Sequence, residues 1–175
     1  MRVSTDRVMI RKAKKEDVPL VVDIKTKGWQ SAYDGIVDDK YLDNLDSERD
    51  ARIANMETDF NTNGFIIAEL DGEVVGFCRY IADNSFSPEV EDADCELTAL
   101  YVKPDLKHHG IGTKLFDYVV GEFRKQCKTR MILWCLKDNE PSKRFYEKMG
   151  GKIIKEKVVN IGGRNYYECC FLYNL

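Results

Sequence analysis

The sequence lacks a long apolar run, a strong excess of charge of one sign and a paired cysteine motif. No hydrophobic segment approaches the roughly 20 residues that a helix needs to cross a bilayer. The formal net charge is only -3, which gives no reason to expect nucleic-acid binding. Because the N-terminus has no apolar signal core, we expect a cytoplasmic protein that does not associate with a membrane.

Histidine and cysteine are too few or too scattered to predict a metal centre. The chain has two adjacent histidines, and none of its six cysteines forms a C-x-x-C pair. Most of the cysteines lie in apolar runs, and Cys127 continues the apolar stripe of a predicted helix. We therefore expect buried free thiols in a reducing compartment, with neither disulfides nor a bound metal.

The length and the amino-acid composition of the chain predict one soluble globular domain. The chain has 175 residues, of which 43% are hydrophobic and 33% charged. We expect this domain to cover residues 8–175, with residues 1–7 as an N-terminal extension. Alternating and helical apolar patterns predict an α/β fold with a mixed, largely antiparallel sheet and flanking helices. The predicted strands are 8–11, 64–70, 74–81, 95–102, 130–136, 153–161 and 166–173; the predicted helices are 16–26, one or two pieces within 38–56, 112–126 and one after Asn139. In the first of these helices we expect Leu20, Val21 and Ile24 to face inward.

A glycine-containing loop joins the strand predicted at 95–102 to the following helix. It reads Lys-His-His-Gly-Ile-Gly-Thr from Lys107 to Thr113. Two glycines allow a tight backbone that brings its N–H groups close to a ligand, and the helix adds the positive end of its dipole. This arrangement favours a phosphate or pyrophosphate. The spacing matches neither the dinucleotide motif nor the P-loop, so a tight turn without a ligand is an alternative.

Two stretches resemble motifs of the GNAT superfamily of N-acetyltransferases. The residues from Leu100 to Leu115 are similar to that family's coenzyme A loop, with Lys107 where Gln or Arg is usual. Residues Asn139 to Gly150 resemble its Asn-x-x-small-x-x-Phe-Tyr-x-x-x-Gly helix. The two motifs occur in the family's order and at its distance. The chain is therefore identified as a GNAT member, with the family's mixed sheet flanked by helices on both faces.

The resemblance implies acetyl-CoA as co-substrate and direct attack by an amine of a small molecule or a peptide N-terminus. No metal is required. The coenzyme would be held by the strand backbone, the loop and the second helix. The residues implied are Leu100, Tyr101, Val102, Lys107, His108, His109, Gly110, Ile111, Gly112, Thr113, Asn139 and Ser142.

The resemblance also places the catalytic groups. Glu96 matches the position of many family bases and would act through water or a raised pKa, whereas Tyr146 matches the family's general acid. Thr98 is two residues beyond Glu96 on the predicted strand, so we expect it on the same face, where it would line the site. Trp29 and Tyr33, in the predicted connection between the first helices, would line the acceptor cleft. The alternatives are a solvated carboxylate for Glu96 and core packing for Trp29, Tyr33 and Tyr146.

Acidic segments favour a cationic acceptor. The fourteen residues from Asp83 to Glu96 contain no Lys or Arg, and four aspartates lie between Asp34 and Asp43. Ordinary solvated loops are the alternative. The competing functions are a non-catalytic acyl-CoA-binding sensor or partner module, and an unrelated phosphate-binding protein. We expect a monomer or homodimer.

Overall fold

A computed structural model describes residues 5–61 and 64–175. Its strands are β1 (Val8–Lys12), β2 (Phe65–Leu70), β3 (Glu73–Ile81), β4 (Cys95–Val102), β5 (Arg130–Leu136), β6 (Lys152–Ile161) and β7 (Arg164–Asn174). Its helices are α1 (Val18–Ala32), α2 (Asp39–Asn44), α3 (Arg49–Thr58), α4 (Ile111–Lys125) and α5 (Glu140–Lys148). Short 3₁₀ turns lie at Thr5–Arg7, Lys15–Asp17 and Pro104–Leu106.

The strands form one sheet of seven in the order β1-β2-β3-β4-β5-β7-β6. All neighbouring pairs are antiparallel except β4 and β5, which run parallel. This confirms the predicted mixed, largely antiparallel sheet and places β4 at its centre. The turn between β2 and β3 has positive φ at Asp71 (53°) and Gly72 (86°), as a tight hairpin of this sequence requires.

Helices cover both faces of the sheet. One stripe of α4 is buried against the first face: Ile111, Leu115, Val119 and Phe123. On the opposite face, Val21 and Ile24 of α1 pack with Phe65 and Phe77 of the sheet. The helical spacing of the apolar residues determines these contacts, because residues three or four apart share a helix face.

Two predicted side-chain positions are wrong. We expected Leu20 to face inward with Val21, but Leu20 is 47% exposed because Val18, Val21 and Val22 provide the buried side of that turn. Cys127 does not extend the apolar stripe of α4. The helix ends at Lys125, and Cys127 has φ 57° and is exposed. The other five cysteines are buried free thiols, as predicted.

Among the helices of the described ranges, none combines the length and apolar character that a bilayer-spanning segment needs. Those ranges also contain no group of three or more His, Cys, Asp or Glu side chains placed to hold a metal ion.

Candidate active site

The central strands β4 and β5 separate soon after they begin. They pair at only two positions, Cys95 with Met131 and Glu96 with Ile132, whereas β5 and β7 pair along all seven residues of β5. The register between β3 and β4 shifts between Arg79 and Tyr80, near the end of β3 and opposite the middle of β4, and such a bulge bends a strand. From Leu97 onward, β4 therefore has no strand partner on its β5 side in the described part of the chain. Three predicted coenzyme contacts lie on this edge: Leu100, Tyr101 and Val102.

The loop after β4 gathers backbone N–H groups at the start of α4. The backbone is left-handed at His108 (φ 67°) and at Gly110 (φ 79°), which immediately precedes the helix. The amides of Ile111, Gly112 and Thr113 lie in the first helical turn, where they have no intrahelical acceptor. These donors, together with the helix dipole, form a local site suited to an anion.

The side chains of this loop are less well placed than its backbone. Lys107 is half-buried, and that burial lowers the pKa of its ammonium group. His108 is exposed and His109 is half-buried. The backbone N–H groups are therefore the donors of this loop best placed to face an anion.

The helix α5 begins at a side-chain cap. Asn139 is 4% exposed, and its Oδ1 accepts a hydrogen bond from the Ser142 backbone N–H at 3.3 Å. The cap satisfies a donor of the first turn and fixes the direction in which α5 leaves the end of β5. It confirms the predicted start of this helix.

Tyr146 lies about two turns beyond this cap. Its ring packs edge-on against Phe145, with centroids 5.3 Å apart, and at a tilt against Phe171, at 5.7 Å. The Tyr173 hydroxyl donates to the Tyr146 carbonyl at 2.8 Å. Tyr146 is half-buried as a whole, but desolvation raises the pKa of its hydroxyl well above the usual 10. The hydroxyl therefore keeps its proton at neutral pH.

An aromatic cluster forms a wall beside the second half of β4. The Trp29 indole N–H donates to the Tyr101 hydroxyl at 2.8 Å, and the Tyr33 hydroxyl lies close enough to that of Tyr101 for the two groups to shift each other's pKa. The rings of Trp29 and Tyr33 meet edge-to-face at 4.8 Å. The predicted location in a connection is wrong for Trp29, which lies in the last turn of α1, and Tyr33 follows directly. Sequence reasoning missed the Tyr101 side chain as the residue that joins them.

The tight approach of α1 to this wall depends on Gly28. A Cβ at this position would lie 2.7 Å from Cδ1 of Tyr101. We expect Gly28→Ala to lower the free energy of unfolding by roughly 1–3 kcal/mol, because the Tyr101 ring must move. Gly121→Ala is the matched control, since no atom lies within 4 Å of its added Cβ in α4. Urea unfolding should show a gain of about 0.5–1 kcal/mol there; equal gains for both variants would contradict the packing argument.

Glu96 is buried, so the alternative of a solvated carboxylate is wrong. The residue is 5% exposed. The Ser87 hydroxyl lies close enough to Glu96 to lower its pKa, and this hydroxyl accepts a hydrogen bond from the Trp134 indole N–H at 2.9 Å. The Glu96 Oε2 atom has no hydrogen-bond partner among the described residues. Burial raises the pKa of Glu96, which makes its carboxylate a stronger base than usual.

Further charged residues lie beside Glu96; the sequence placed Glu89 in an acidic segment but did not predict that it would meet Lys157 and Glu168 here. Lys157 contacts Glu89 at 2.8 Å and Glu168 at 3.6 Å, and its ammonium lies 3.8 Å from the Trp134 ring centroid. Burial also raises the pKa of Glu168. These residues converge from β6, β7 and the loop before β4, so no local motif could have predicted them.

The predicted catalytic residues fall into two environments. Tyr146 lies close enough to Tyr33 and Tyr101 that Tyr101 raises the pKa of Tyr146 and Tyr146 raises the pKa of Tyr33. The groups that influence the pKa of Glu96 are the different set around Ser87 and Lys157. Thr98 lies between the two environments along β4, and its hydroxyl donates to the Arg79 carbonyl at 3.1 Å.

The buried cysteines are not suited to act as nucleophiles. Burial raises the pKa of Cys135 and of Cys170 to about 12. Burial also raises the pKa of Cys78, Cys95 and Cys169. A thiol must lose its proton to attack a carbonyl carbon, so these groups are unreactive near neutral pH.

Comparison with known proteins decides the family. The family model described as the acetyltransferase (GNAT) family matches residues 29–151, which is well over half of the chain. The chain belongs to the GNAT family. The match includes β4, the glycine loop and α5. These segments surround the gap that opens where β4 and β5 separate.

Relatives extend this match beyond the motifs. An uncharacterized N-acetyltransferase of Lactobacillus delbrueckii subsp. lactis is 29% identical over 98 residues, which are 56% of this chain and 57% of that protein. A probable N-acetyltransferase of Mycobacterium tuberculosis is 29% identical over 162 residues, 91% of this chain and 83% of that protein. A GCN5-related N-acetyltransferase structure from Rhodopseudomonas palustris has a TM-score of 0.76 and 19% identity, covering 100% of this chain and 98% of its own.

These findings confirm the predicted GNAT fold and enzyme class. The protein is an acetyl-CoA-dependent N-acetyltransferase, and the acceptor of a GNAT N-acetyltransferase is an amine. The family match does not by itself assign a role to any individual residue.

Proposed function

We propose that the protein transfers the acetyl group of acetyl-CoA directly to an amine of a small molecule or a peptide N-terminus. The observation that carries this proposal is the gap between β4 and β5. The gap has the glycine loop at the open end of β4, the start of α5 at the open end of β5, and the aromatic wall at its side. An extended chain that ends in a thioester fits between strands that leave backbone groups unpaired.

The coenzyme would be held mainly by backbone groups. The amides of residues 107–113 would donate to its pyrophosphate, and the free edge of β4 from Leu100 to Val102 would align its amide-containing arm. Asn139 and Ser142, at the start of α5, would contact the coenzyme from the other side of the gap. Capping by Asn139 does not exclude such a contact, because its cap uses only the side-chain oxygen.

Glu96 would act as the general base. An attacking amine must lose a proton, and a carboxylate with a raised pKa accepts one more readily than an ordinary glutamate. Its unpartnered Oε2 atom is enclosed, so the proton would reach it through an ordered water.

Tyr146 would act as the general acid. The departing thiolate must gain a proton, and Tyr146 keeps its own at neutral pH. Direct attack is preferred over an acyl-enzyme, because the buried thiols stay protonated. In the direct reaction, the amine nitrogen forms a bond to the carbonyl carbon while the carbon–sulfur bond breaks.

A cationic acceptor stays a prediction. The acidic segments on which it rests are partly engaged with other groups. Asp38 pairs with Arg164 at 2.6 Å, Asp94 accepts from the backbone N–H groups of Thr129 and Arg130, and Glu89 pairs with Lys157. Fewer acidic groups are therefore free to attract a cation than the sequence suggested.

The test of the proposal is release of the coenzyme thiol from acetyl-CoA in the presence of polyamines, aminoglycosides, amino acids and peptides. At least one class of amine should accelerate release and yield an N-acetylated product by mass spectrometry. Acetyl-CoA binding without transfer to any acceptor would instead favour the acyl-CoA sensor. The same assay on residues 8–175 tests the proposal that this segment is the whole catalytic domain.

Coenzyme binding should depend on Gly110. We expect Gly110→Val to weaken acetyl-CoA binding about tenfold or more, because a β-branched residue resists φ 79° and blocks approach to the loop backbone. Gly72→Val is the matched control, since Gly72 has φ 86° and open space in a distant hairpin. Calorimetry should show a loss of affinity only for Gly110→Val. Lys107→Ala should have a smaller effect, and equal affinity in all the variants would contradict the loop assignment.

A further inference from the structure

A cavity on the α1 side of the sheet is rich in basic residues. It encloses about 250 Å³ between α1, α3 and strands β2 and β3. Three basic side chains line it, Lys25, Arg52 and Arg79, together with one acidic residue, Asp59. Neither the sequence motifs nor the proposed mechanism account for this group of charges.

The three basic groups have no carboxylate partner. None lies within 4 Å of a carboxylate oxygen in the described ranges, although many other basic residues there do. Arg52 donates instead to the neutral Thr26 hydroxyl at 2.6 Å, and the Arg79 guanidinium lies 5.3 Å from the Phe65 ring centroid. Burial, together with the charges of Arg52 and Arg79, lowers the pKa of Lys25. Like charges held together in a half-buried cavity are unfavourable unless an anion joins them.

The cavity lies beside the acceptor side of the proposed active site. Arg79 is the cross-strand partner of Ala99, which is three residues beyond Glu96 on β4. That separation is roughly 10 Å along a strand. Arg52 lowers the pKa of Tyr101 and so lies near the aromatic wall. A small molecule could therefore reach the cavity with one end and the region of Glu96 with the other.

We propose that the acceptor amine carries a carboxylate and that Lys25, Arg52 and Arg79 bind this carboxylate. This inference rests on the proposed function and specifies its acceptor as a small amino acid rather than a polyamine. The arginines can each donate two parallel hydrogen bonds to a carboxylate, and Lys25 adds a further charge. The distance between the two ends favours a straight-chain acceptor whose amine and carboxylate are several bonds apart.

The first test compares matched acceptors. Straight-chain ω-amino acids, from glycine to 6-aminohexanoate, are assayed beside their carboxamides, which keep the amine and lose only the negative charge. We expect one or more of the acids to have at least a tenfold higher kcat/KM than its amide. Arg52→Gln and Arg79→Gln should each remove about tenfold of this preference by raising KM, with acetyl-CoA affinity unchanged. Arg124→Gln, on an exposed residue at the end of α4, should change nothing.

Several results of this comparison would overturn the carboxylate site. Carboxamides that react as well as the acids would contradict the site. A preference for the acids that survives in both Arg52→Gln and Arg79→Gln would contradict it too. A preference for phosphoethanolamine over every carboxylate would replace the carboxylate with a phosphate. The failure of the proposed function looks different, because no acceptor of any class would then release the coenzyme thiol.

The second test measures binding without catalysis. The ω-amino acids should raise the Tm of the protein and their amides should not, and Arg79→Gln should abolish the rise. Lys25→Met should raise the Tm of the ligand-free protein at neutral pH by ~2 °C or more, because it removes a charge that the folded state disfavours. Because folding lowers the pKa of Lys25, its positive charge destabilises the folded state, and this destabilisation is complete below the pKa in the folded protein. It is lost as pH rises toward about 10.4, the ordinary pKa of lysine, so the gain in Tm should fade at high pH. A lower Tm for Lys25→Met, or no shift with any acid, would contradict the site.

Discussion

Tyr146→Phe should lower kcat by roughly 10²- to 10⁴-fold while leaving acetyl-CoA affinity and the fold little changed. The substitution removes only the hydroxyl, which the pKa of Tyr146 keeps protonated at neutral pH. Its ring contacts with Phe145 and Phe171 remain, because they involve the ring and not the oxygen. Steady-state kinetics with the best acceptor, together with calorimetry for acetyl-CoA, would measure both quantities.

Two further variants separate catalysis from packing. Tyr146→Ala should destabilise the fold by roughly 3–5 kcal/mol, because it deletes a large packed ring. Tyr173→Phe is the matched control, since it also removes one tyrosine hydroxyl, the one bonded to the Tyr146 carbonyl. It should cost about 1 kcal/mol of stability with little effect on kcat. A near-normal kcat for Tyr146→Phe would assign the proton to solvent or to another residue.

Glu96→Gln should lower kcat/KM by roughly 10²-fold or more at neutral pH, because the amide cannot accept the proton of the amine. In the parent enzyme, burial raises the pKa of Glu96, so the acidic limb of the kcat/KM profile should lie above the usual glutamate range near about 4.3. The variant should lose that limb. Glu168→Gln is the matched control, because burial also raises the pKa of Glu168. A parallel loss of activity in Glu168→Gln would remove the special role of Glu96.

Glu96→Gln should not lower the free energy of unfolding at neutral pH. A carboxyl group whose pKa is raised by folding stabilises the protein most below its unfolded pKa, and that contribution is lost as pH rises through the folded value. At neutral pH burial of the Glu96 carboxyl group therefore lowers the stability of the fold, and Glu96→Gln should be at least as stable as the parent. The difference should disappear as pH falls below about 4.3. Strong destabilisation at pH 7 would indicate that Glu96 is structural.

Local chemistry explains what could be predicted from the sequence. The bounds of β4 and β5 agree with the predicted segments at both ends, and Asn139 caps α5 as expected. The sequence also predicts the glycine loop between β4 and α4. Each of these features depends on residues that are neighbours in the chain, where periodicity, caps and turn residues act directly.

Contacts between distant segments explain what the sequence left open. The hydrogen bond from Trp29 to Tyr101 joins residues 72 positions apart. The burial of Glu96 depends on Ser87 and Trp134, and the basic cavity depends on three residues from α1, α3 and β3. The spacing of residues along the chain specifies elements and turns, but the pairing of β3 with β4 and the separation of β4 from β5 decide which side chains meet. That pairing is set by the packing of the whole sheet, because one strand's register fixes the face on which every one of its side chains lies.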